Sequence, residues 1–314
     1  MTAGRMHKPA WMLVCLALLL VLFGSSLAAS AAETPITVQD DRGRKISLPH
    51  PAQRIVSLLP SLTESVCALQ ACNRLVGTDR FSNWPASVLA LPKLGGLEDT
   101  QIERIVSLKP DLVLAALSSR VIERLESLGL TVLALEAKTL SDTRRVLQTV
   151  ALALGQPGQG DVVWARIEAQ MAAAAARVPA ALRGKKVYFE VSAEPYAAGQ
   201  SSFVGETLIT LGLGNVVPAS MGPFPKLNLE FVVRAQPDLV MAAARNLAEM
   251  AKRPGWSAVT ALRQKRSCGF AEARYEVLIR PGPRLAEAAD LIADCLAGLA
   301  PLGAGPADQS TKPP

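Results

Sequence analysis

The stretches "IERIVSLKPDLVLAA" (residues 102–116) and "LEFVVRAQPDLVMAA" (residues 229–243) repeat one pattern at an offset of 127 positions. Each has a glutamate near its start, Glu103 or Glu230, and a Pro-Asp pair that begins seven residues later. Proline ends a helix because it lacks a backbone N–H, and the apolar run after it suits a buried strand. An offset this long does not match a solenoid repeat and predicts a duplicated domain.

Helices and short apolar strands alternate around the first copy. "RIVSLLP" and "TVLAL" predict buried strands, and "PSLTESVCALQA" predicts a helix. Two helices are expected to open with capping boxes, one formed by Ser61 with Glu64 and one by Thr100 with Glu103. Such alternation is typical of a parallel sheet with helices on its faces.

The Ala-rich segment "QGDVVWARIEAQMAAAAAR" predicts one long helix between the two halves of the chain. We therefore predict an α/β fold with two Rossmann-like lobes, each built on a parallel sheet, joined by a single long α-helix, with a ligand cleft between the lobes. The predicted boundaries are an N-terminal lobe at 32–157, the linking helix at 158–178, a C-terminal lobe at 179–300 and a disordered tail at 301–314.

The N-terminus has the order of a secretory signal peptide, predicted over residues 1–31. Arg5 and Lys8 precede an apolar run, and Ala29-Ser30-Ala31 offers a cleavage site. A membrane anchor is the alternative, although the run is shorter than the roughly 20 residues that a span needs. A lipoprotein is not favoured because Cys15 lies inside the apolar run. We therefore expect a periplasmic protein, released as a monomer after the signal peptide is removed.

The composition argues against several functions. Loss of the signal peptide lowers the formal charge from +6 to +4, too mild a charge to predict binding to nucleic acid. The two histidines are His7 and His50, so a Ser-His hydrolase, a zinc hydrolase and a His-ligated heme site lack their key residue. We expect no enzyme activity, no bound metal and no resident cofactor.

Four cysteines follow the signal peptide: Cys67, Cys72, Cys268 and Cys295. In an oxidising compartment an even number favours disulfides, and four thiols allow three pairings. We favour Cys67 with Cys72 and Cys268 with Cys295, because each pair then lies within one half of the chain. No C-x-x-C spacing or histidine partner favours a metal site.

Several aromatic residues stand in loops that follow predicted strands. Phe81, Tyr196 and Phe224 lie among Pro, Gly and Ser, where parallel α/β folds bind ligands. We expect these three rings to contact a ligand, whereas Trp84 and Trp256 are expected to pack.

The segments "RIVSLLPSLTE", "VGTDRFSNWP", "YAAGQSSFVGETLITLGLGNVV" and "RPGPRLAEAADLIADCL", together with the two repeat copies, carry a resemblance. The chain resembles the periplasmic substrate-binding proteins of ABC importers whose lobes are joined by one long helix, the class that serves cobalamin, heme and ferric siderophores. The resemblance covers nearly all of the chain after the signal peptide. Within the class, the segments are most similar to the cobalamin-binding members.

The resemblance implies a set of ligand contacts in the cleft. Phe81 stands where the family has a tyrosine, and Tyr196 and Phe224 match further cleft aromatics. Two family tryptophans fall on Leu97 and near Ala116, so two large rings are missing. The implied contacts ahead of the Arg-x-x-Pro-Arg-like segment are Glu276, Val277, Leu278, Ile279 and Arg280.

The resemblance also implies that Glu103 and Glu230 dock on the permease dimer of an ABC importer, one carboxylate from each lobe. The alternative is that each glutamate only complements the positive end of its helix. The expected function is capture of cobalamin or a related corrinoid and its delivery to the importer. The alternatives are a ferric-siderophore or heme receptor of the same class and, from another class, a secreted enzyme.

Overall fold

The computed structural model describes residues 1–2 and 35–299. Apart from its first two residues, the predicted signal peptide lies outside the described residues, as does the predicted tail. The described residues from Ile36 to Leu299 belong to one compact unit, and everything below concerns them. Among the described residues, no helix has both the length and the apolar character needed to span a bilayer.

The first lobe, called the N lobe, is built on a sheet of four parallel strands in the order β4-β3-β5-β6. All five residues of β5 are buried, as expected for a strand covered on both faces. A separate antiparallel hairpin, β1-β2, precedes the sheet. The strands are β1 (Ile36–Gln39), β2 (Lys45–Leu48), β3 (Ile55–Ser57), β4 (Leu75–Thr78), β5 (Leu112–Ala116) and β6 (Val132–Leu135).

The helices of the N lobe are α1 (Pro60–Ala68), α2 (Ile102–Ser107), α3 (Ile122–Ser127) and α4 (Leu140–Ala153). Neither predicted capping box forms. Helix α1 begins with Pro60 at its first position and has no side-chain cap, while Glu64 turns into the protein interior. Helix α2 has no side-chain cap either, because the Thr100 hydroxyl donates to the Gly96 carbonyl, 2.6 Å away.

The linking helix is α5 (Gln159–Arg177). It is not a free rod, because Trp164, Ile167 and Met171 are buried against the helices that flank it. Arg177 at its last turn pairs with Asp290 and Asp294 of the C-terminal helix, at 2.5 and 2.6 Å. The helix therefore belongs to the core on the side where it joins the two lobes.

The second lobe, called the C lobe, is built on a sheet in the order β11-β10-β7-β8, with β9 also paired to β7. All its pairings are parallel except β7-β8. The strands are β7 (Lys186–Ser192), β8 (Tyr196–Ala197), β9 (Gly214–Asn215), β10 (Leu239–Ala243) and β11 (Ser267–Phe270). The helices are α6 (Phe203–Thr210), α7 (Leu229–Ala235), α8 (Ala244–Met250), α9 (Thr260–Arg263), α10 (Glu272–Leu278) and α11 (Leu285–Leu299).

These two lobes with parallel sheets and one connecting helix confirm the predicted fold class. The boundaries predicted for the domains stay predictions. The predicted disulfides Cys67–Cys72 and Cys268–Cys295 are both present. The second of them ties β11 to α11 within the C lobe.

The two repeat copies take the same place in their lobes. Asp111 accepts hydrogen bonds from the backbone N–H groups of Gln53 and Arg54, just ahead of β3, at 2.8 and 3.0 Å. Asp238 accepts one from the N–H of Lys186 at the start of β7, at 2.8 Å. In both copies, the aspartate after the proline thus holds the start of the neighbouring strand.

Candidate functional site

An inner cavity of about 230 Å³ lies between the lobes, where the carboxyl ends of β3, β5 and β6 meet the loop between α10 and α11. Its polar wall residues are Ser61, Glu136 and Arg280. The carboxyl edge of a parallel sheet is the usual place for a ligand in such folds. Most of the wall is apolar, formed by Leu59, Pro60, Leu62, Ala116, Leu135, Ala137, Val146, Ile279 and Pro281.

An outer cavity of about 440 Å³ adjoins the inner one and shares Leu59 and Pro60 with it. The side chains of Phe81 and Leu97 line this outer space, and the ring of Phe81 is 58% exposed. Leu97 is also exposed, so two large apolar side chains face solvent together. The two cavities form one cleft with a shallow outer part and a deeper inner part.

The loop that carries Phe81 is held rigidly from beneath. Asp79, which is buried, accepts a hydrogen bond from the Phe81 N–H at 2.7 Å and another from the Ser82 hydroxyl. Burial raises the pKa of the Asp79 carboxyl, although these hydrogen bonds and the charge of Lys93 oppose the rise. The Lys93 ammonium donates to the Ser82 carbonyl at 2.7 Å and to the Thr78 hydroxyl at 2.9 Å. The exposed ring therefore stands on a preformed support.

Arg280, predicted to contact ligand, lies in the wall of the inner cavity but is occupied by protein partners. Its Nη1 donates to Glu64 Oε1 at 3.1 Å and to Asn83 Oδ1 at 2.9 Å. Its Nη2 donates to the Phe81 carbonyl at 3.2 Å and to Glu276 Oε2 at 2.7 Å. Three of these four acceptors belong to the N lobe, so Arg280 bridges the lobes at the cleft.

The sequence analysis assigned Glu64 to a capping box and did not predict its contact with Arg280. It is 1% exposed, and Arg284 also approaches it, at 3.7 Å. Burial raises the pKa of the Glu64 carboxyl, while the charges of Arg280 and Arg284 oppose that rise. The sequence did carry one signal: proline favours the first helical position, which places Ser61 inside the helix and not at its N-cap.

Neither of the other two predicted aromatics lines the two cavities. Phe224 is half-buried and packs against Phe203, with ring centroids 5.7 Å apart. Tyr196 is 38% exposed, and the Lys226 ammonium lies 5.6 Å from the centre of its ring. Neither ring lines the inner or the outer cavity, so contact of either with ligand stays a prediction.

The predicted contacts at residues 276–280 lie partly at the cleft and partly in the core. Ile279 and Arg280 line the inner cavity, and Glu276 accepts a hydrogen bond from Asn83 Nδ2 at 2.8 Å. Val277 and Leu278 are buried in the core, so this packing lends no support to their predicted contact with ligand.

The two tryptophans expected to pack behave differently. Trp256 is fully buried, which confirms that prediction. Trp84 remains partly exposed and packs against the Arg284 guanidinium, 5.0 Å from the ring centre.

The walls of the cleft carry balanced charge. Among the described residues that line the two cavities, the cations are Arg80 and Arg280. Arg80 pairs with Asp99, and Arg280 pairs with Glu64 and Glu276. The wall carboxylates Glu136 and Glu98 pair with Lys138 at 2.8 Å and Arg120 at 3.4 Å. A ligand in this cleft meets apolar surface and charges that already have partners.

Glu103 and Glu230 occupy equivalent positions, each the second residue of its helix, α2 or α7. Both side chains are exposed.

Within residues 1–2 and 35–299, no three side chains of His, Cys, Asp or Glu converge as a metal site would require.

Known proteins match most of the length of this chain, at about a quarter sequence identity. An uncharacterized ABC transporter substrate-binding lipoprotein of Bacillus subtilis is 27% identical over 83% of this chain and 85% of its own length. The vitamin B12-binding protein of Vibrio cholerae is 25% identical over 79% of this chain and 90% of its own length. The structure of a periplasmic heme-binding protein of Roseiflexus superposes with a TM-score of 0.67 at 26% identity, over 79% of this chain and 99% of that one.

A family model also matches a large part of the chain. Residues 55–268 match the periplasmic binding protein family, from β3 of the N lobe to β11 of the C lobe. The match includes the duplicated helix-strand unit in both lobes and the helix that links them. The chain therefore belongs to the periplasmic binding protein family.

Proposed function

We propose that the protein captures cobalamin or a related corrinoid in the cleft between its lobes and delivers it to an ABC importer. The observation that carries the proposal is the exposed ring of Phe81, held on a rigid loop at an apolar cleft whose charges are paired. The protein works in the periplasm as a monomer, performs no chemistry and has no resident cofactor, since the corrinoid is its cargo. The vitamin B12-binding relative supports this choice.

Charge favours a corrinoid over more anionic cargo. The rim of a corrin macrocycle carries neutral amides, and the single phosphate of cobalamin is balanced by the charge of its cobalt, whereas heme carries two carboxylates and many ferric siderophores carry several anionic oxygens. A buried anion needs a partner of opposite charge. Arg80 and Arg280 are already paired with carboxylates of the protein, so an anionic ligand would have to displace those carboxylates.

Shape favours a large flat ligand. Phe81 and Leu97 offer broad apolar surface at the outer cavity, where one face of a macrocycle can pack. Leu97 stands where the family resemblance implies a tryptophan, so the outer wall stays apolar although one ring is missing. The linking helix is packed into the core, so little closure of the lobes is expected on binding.

A heme receptor is the second candidate. The heme-binding relative supports it, and the exposed phenol of Tyr196 offers an oxygen that could ligate iron. Against it, Tyr196 lines neither cavity, and Lys226 lies over its ring.

The proposal extends to the membrane partner. Glu103 and Glu230 present one exposed carboxylate on each lobe at equivalent positions. A permease dimer with two-fold symmetry could receive both through charge-assisted hydrogen bonds.

Substitution of the exposed ring tests the proposal. Phe81→Ala is expected to weaken cobalamin binding by about tenfold or more, because the apolar face of the ligand loses its main aromatic contact. Leu89→Ala is the matched control, since Leu89 is 57% exposed in the same lobe but lines neither cavity. Equal cobalamin affinities for the two variants, measured by calorimetric titration, would remove Phe81 from the proposed site.

A further inference from the structure

The inner cavity offers an occupant apolar walls and few free hydrogen-bonding groups. The Arg280 guanidinium already donates to four acceptors, and Glu136 pairs with Lys138. Ser61, the third polar wall residue, is buried, and among the described residues only its backbone carbonyl is hydrogen-bonded, so its hydroxyl is the one polar wall side chain left for an occupant. A water molecule in a cavity needs two to four polar partners. The inner cavity therefore suits an apolar guest better than water.

The volume of the cavity limits the size of that guest. An apolar protein cavity of about 150 Å³ holds one benzene molecule. The inner cavity measures about 230 Å³. It therefore suits a flat guest of two fused rings.

The space exists because two alanines stand at the ends of neighbouring strands. Ala116 is the last residue of β5, and Ala137 follows β6 by two positions. Ala116 is paired in register with Leu135, which is fully buried, so the backbone beneath the cavity is fixed by the sheet. A larger side chain at either alanine would fill the space without needing any change in the sheet.

The inner cavity is reached from the outer one past Leu59 and Pro60, which line both. A macrocycle packed on Phe81 can thus pass a substituent of its lower face into the inner space. Complete corrinoids carry such a substituent, a bicyclic aromatic base of the benzimidazole type on a ribose phosphate linker, and cobinamide lacks both base and linker. The phosphate of the linker would stay at the solvent-facing outer cavity, so that only the base enters the inner one. We propose, resting on the function proposed above, that the inner cavity binds this base and makes the protein select complete corrinoids over cobinamide.

The test compares cobalamin and cobinamide on the wild type and on cavity-filling variants. Ala137→Leu is the first variant, because Ala137 is only half-buried and the substitution should leave folding intact, and Ala116→Leu is the second. Ala90→Leu is the control, since Ala90 is exposed in the same lobe and lines neither cavity. Affinities are measured by titration, and thermal melting verifies that each variant is folded.

We expect wild type and Ala90→Leu to bind cobalamin at least tenfold more tightly than cobinamide. In Ala137→Leu the ratio of the affinity for cobalamin to the affinity for cobinamide should fall to about one. The cause should be weaker binding of cobalamin, with the affinity for cobinamide within about twofold of wild type. Equal affinities in the wild type, or a ratio that survives both cavity-filling substitutions, would overturn the inference and leave the proposed function standing. If neither corrinoid binds, both this inference and the proposed function are wrong.

A second measurement does not depend on the folding of any variant. Benzimidazole alone, added at millimolar concentration to wild-type protein, should show saturation transfer by NMR. Added cobalamin should suppress that transfer, whereas cobinamide should leave it in place. Absence of transfer, or equal suppression by both corrinoids, would contradict a site for the base in the inner cavity.

Discussion

The Arg280 guanidinium of the C lobe lies 3.1 Å from the Glu64 carboxylate of the N lobe, where Glu64 is 1% exposed. This ion pair joins the lobes at the cleft, while the linking helix joins them on the side of α4 and α11. Arg280 also holds the carbonyl of Phe81, so the loop that presents the candidate ligand contact is tied to the opposite lobe. These contacts restrict how far the two lobes can separate at the cleft.

Removal of Arg280 should destabilise the protein markedly. Arg280→Ala leaves the buried Glu64 carboxylate with only Arg284, at 3.7 Å, and loss of one partner of a buried ion pair costs about 3 kcal/mol. Arg144→Ala is the control, because Arg144 pairs with Asp161 at an exposed site and should cost under about 1 kcal/mol. Urea unfolding measures both. Similar losses for the two variants would show that the interlobe pair contributes no more than a surface pair.

The buried Glu64 carboxyl predicts a dependence of stability on pH. Its pKa in the folded protein is raised above the ordinary value of 4.5, chiefly by burial. A group with a raised folded pKa adds stability below its unfolded pKa, and that contribution is lost as pH rises through the folded pKa. Relative to Glu64→Gln, the wild type should therefore lose stability as pH rises above 4.5.

The control for the pH series is Asp161→Asn. The hydrogen bond from Arg144 lowers the pKa of Asp161 below its ordinary value of 3.8, so this variant should stay parallel to wild type above pH 4.5. Urea unfolding at several pH values between 4.5 and 8 measures all three proteins. A difference between wild type and Glu64→Gln that is constant with pH would contradict a raised pKa.

The docking proposal for Glu103 and Glu230 predicts a separation of two activities. The double variant Glu103→Ala with Glu230→Ala should keep its affinity for ligand but lose stimulation of the ATPase of the cognate importer. The control pair is Glu123→Ala with Glu272→Ala, since both residues are exposed in the first turn of other helices. Stimulation by the docking variant equal to that by the control pair would return Glu103 and Glu230 to the role of complementing helix ends.

The fold could be predicted because its cause is local in sequence. The two repeat copies each contain a helix, a proline that ends it and an apolar strand, and strands that alternate with helices in this way favour a parallel sheet. The exposure of Phe81 was also predictable, because its neighbours are polar. The packing of the half-buried Phe224 was not predictable, since it depends on Phe203, which approaches only in the folded chain.

The interlobe cluster could not be predicted for the same reason. Arg280 and Glu64 are separated by 216 positions, and a Ser-x-x-Glu pattern at a helix start fits a capping box equally well. Only the folded structure decides between the two roles, because burial of Glu64 depends on how the second lobe covers α1. Likewise, the inner cavity depends on two alanines at the carboxyl ends of adjacent strands meeting a loop of the other lobe.

The most direct test of the proposed function is a titration of the mature protein with cobalamin, heme and a ferric siderophore. Tryptophan fluorescence provides the signal, because Trp84 lies in the same loop as Phe81 and next to Asn83, which binds Arg280. We predict saturable binding of cobalamin at micromolar concentration or below, with weaker binding of heme and siderophore. Tight binding of heme or siderophore without any binding of cobalamin would contradict the proposed function.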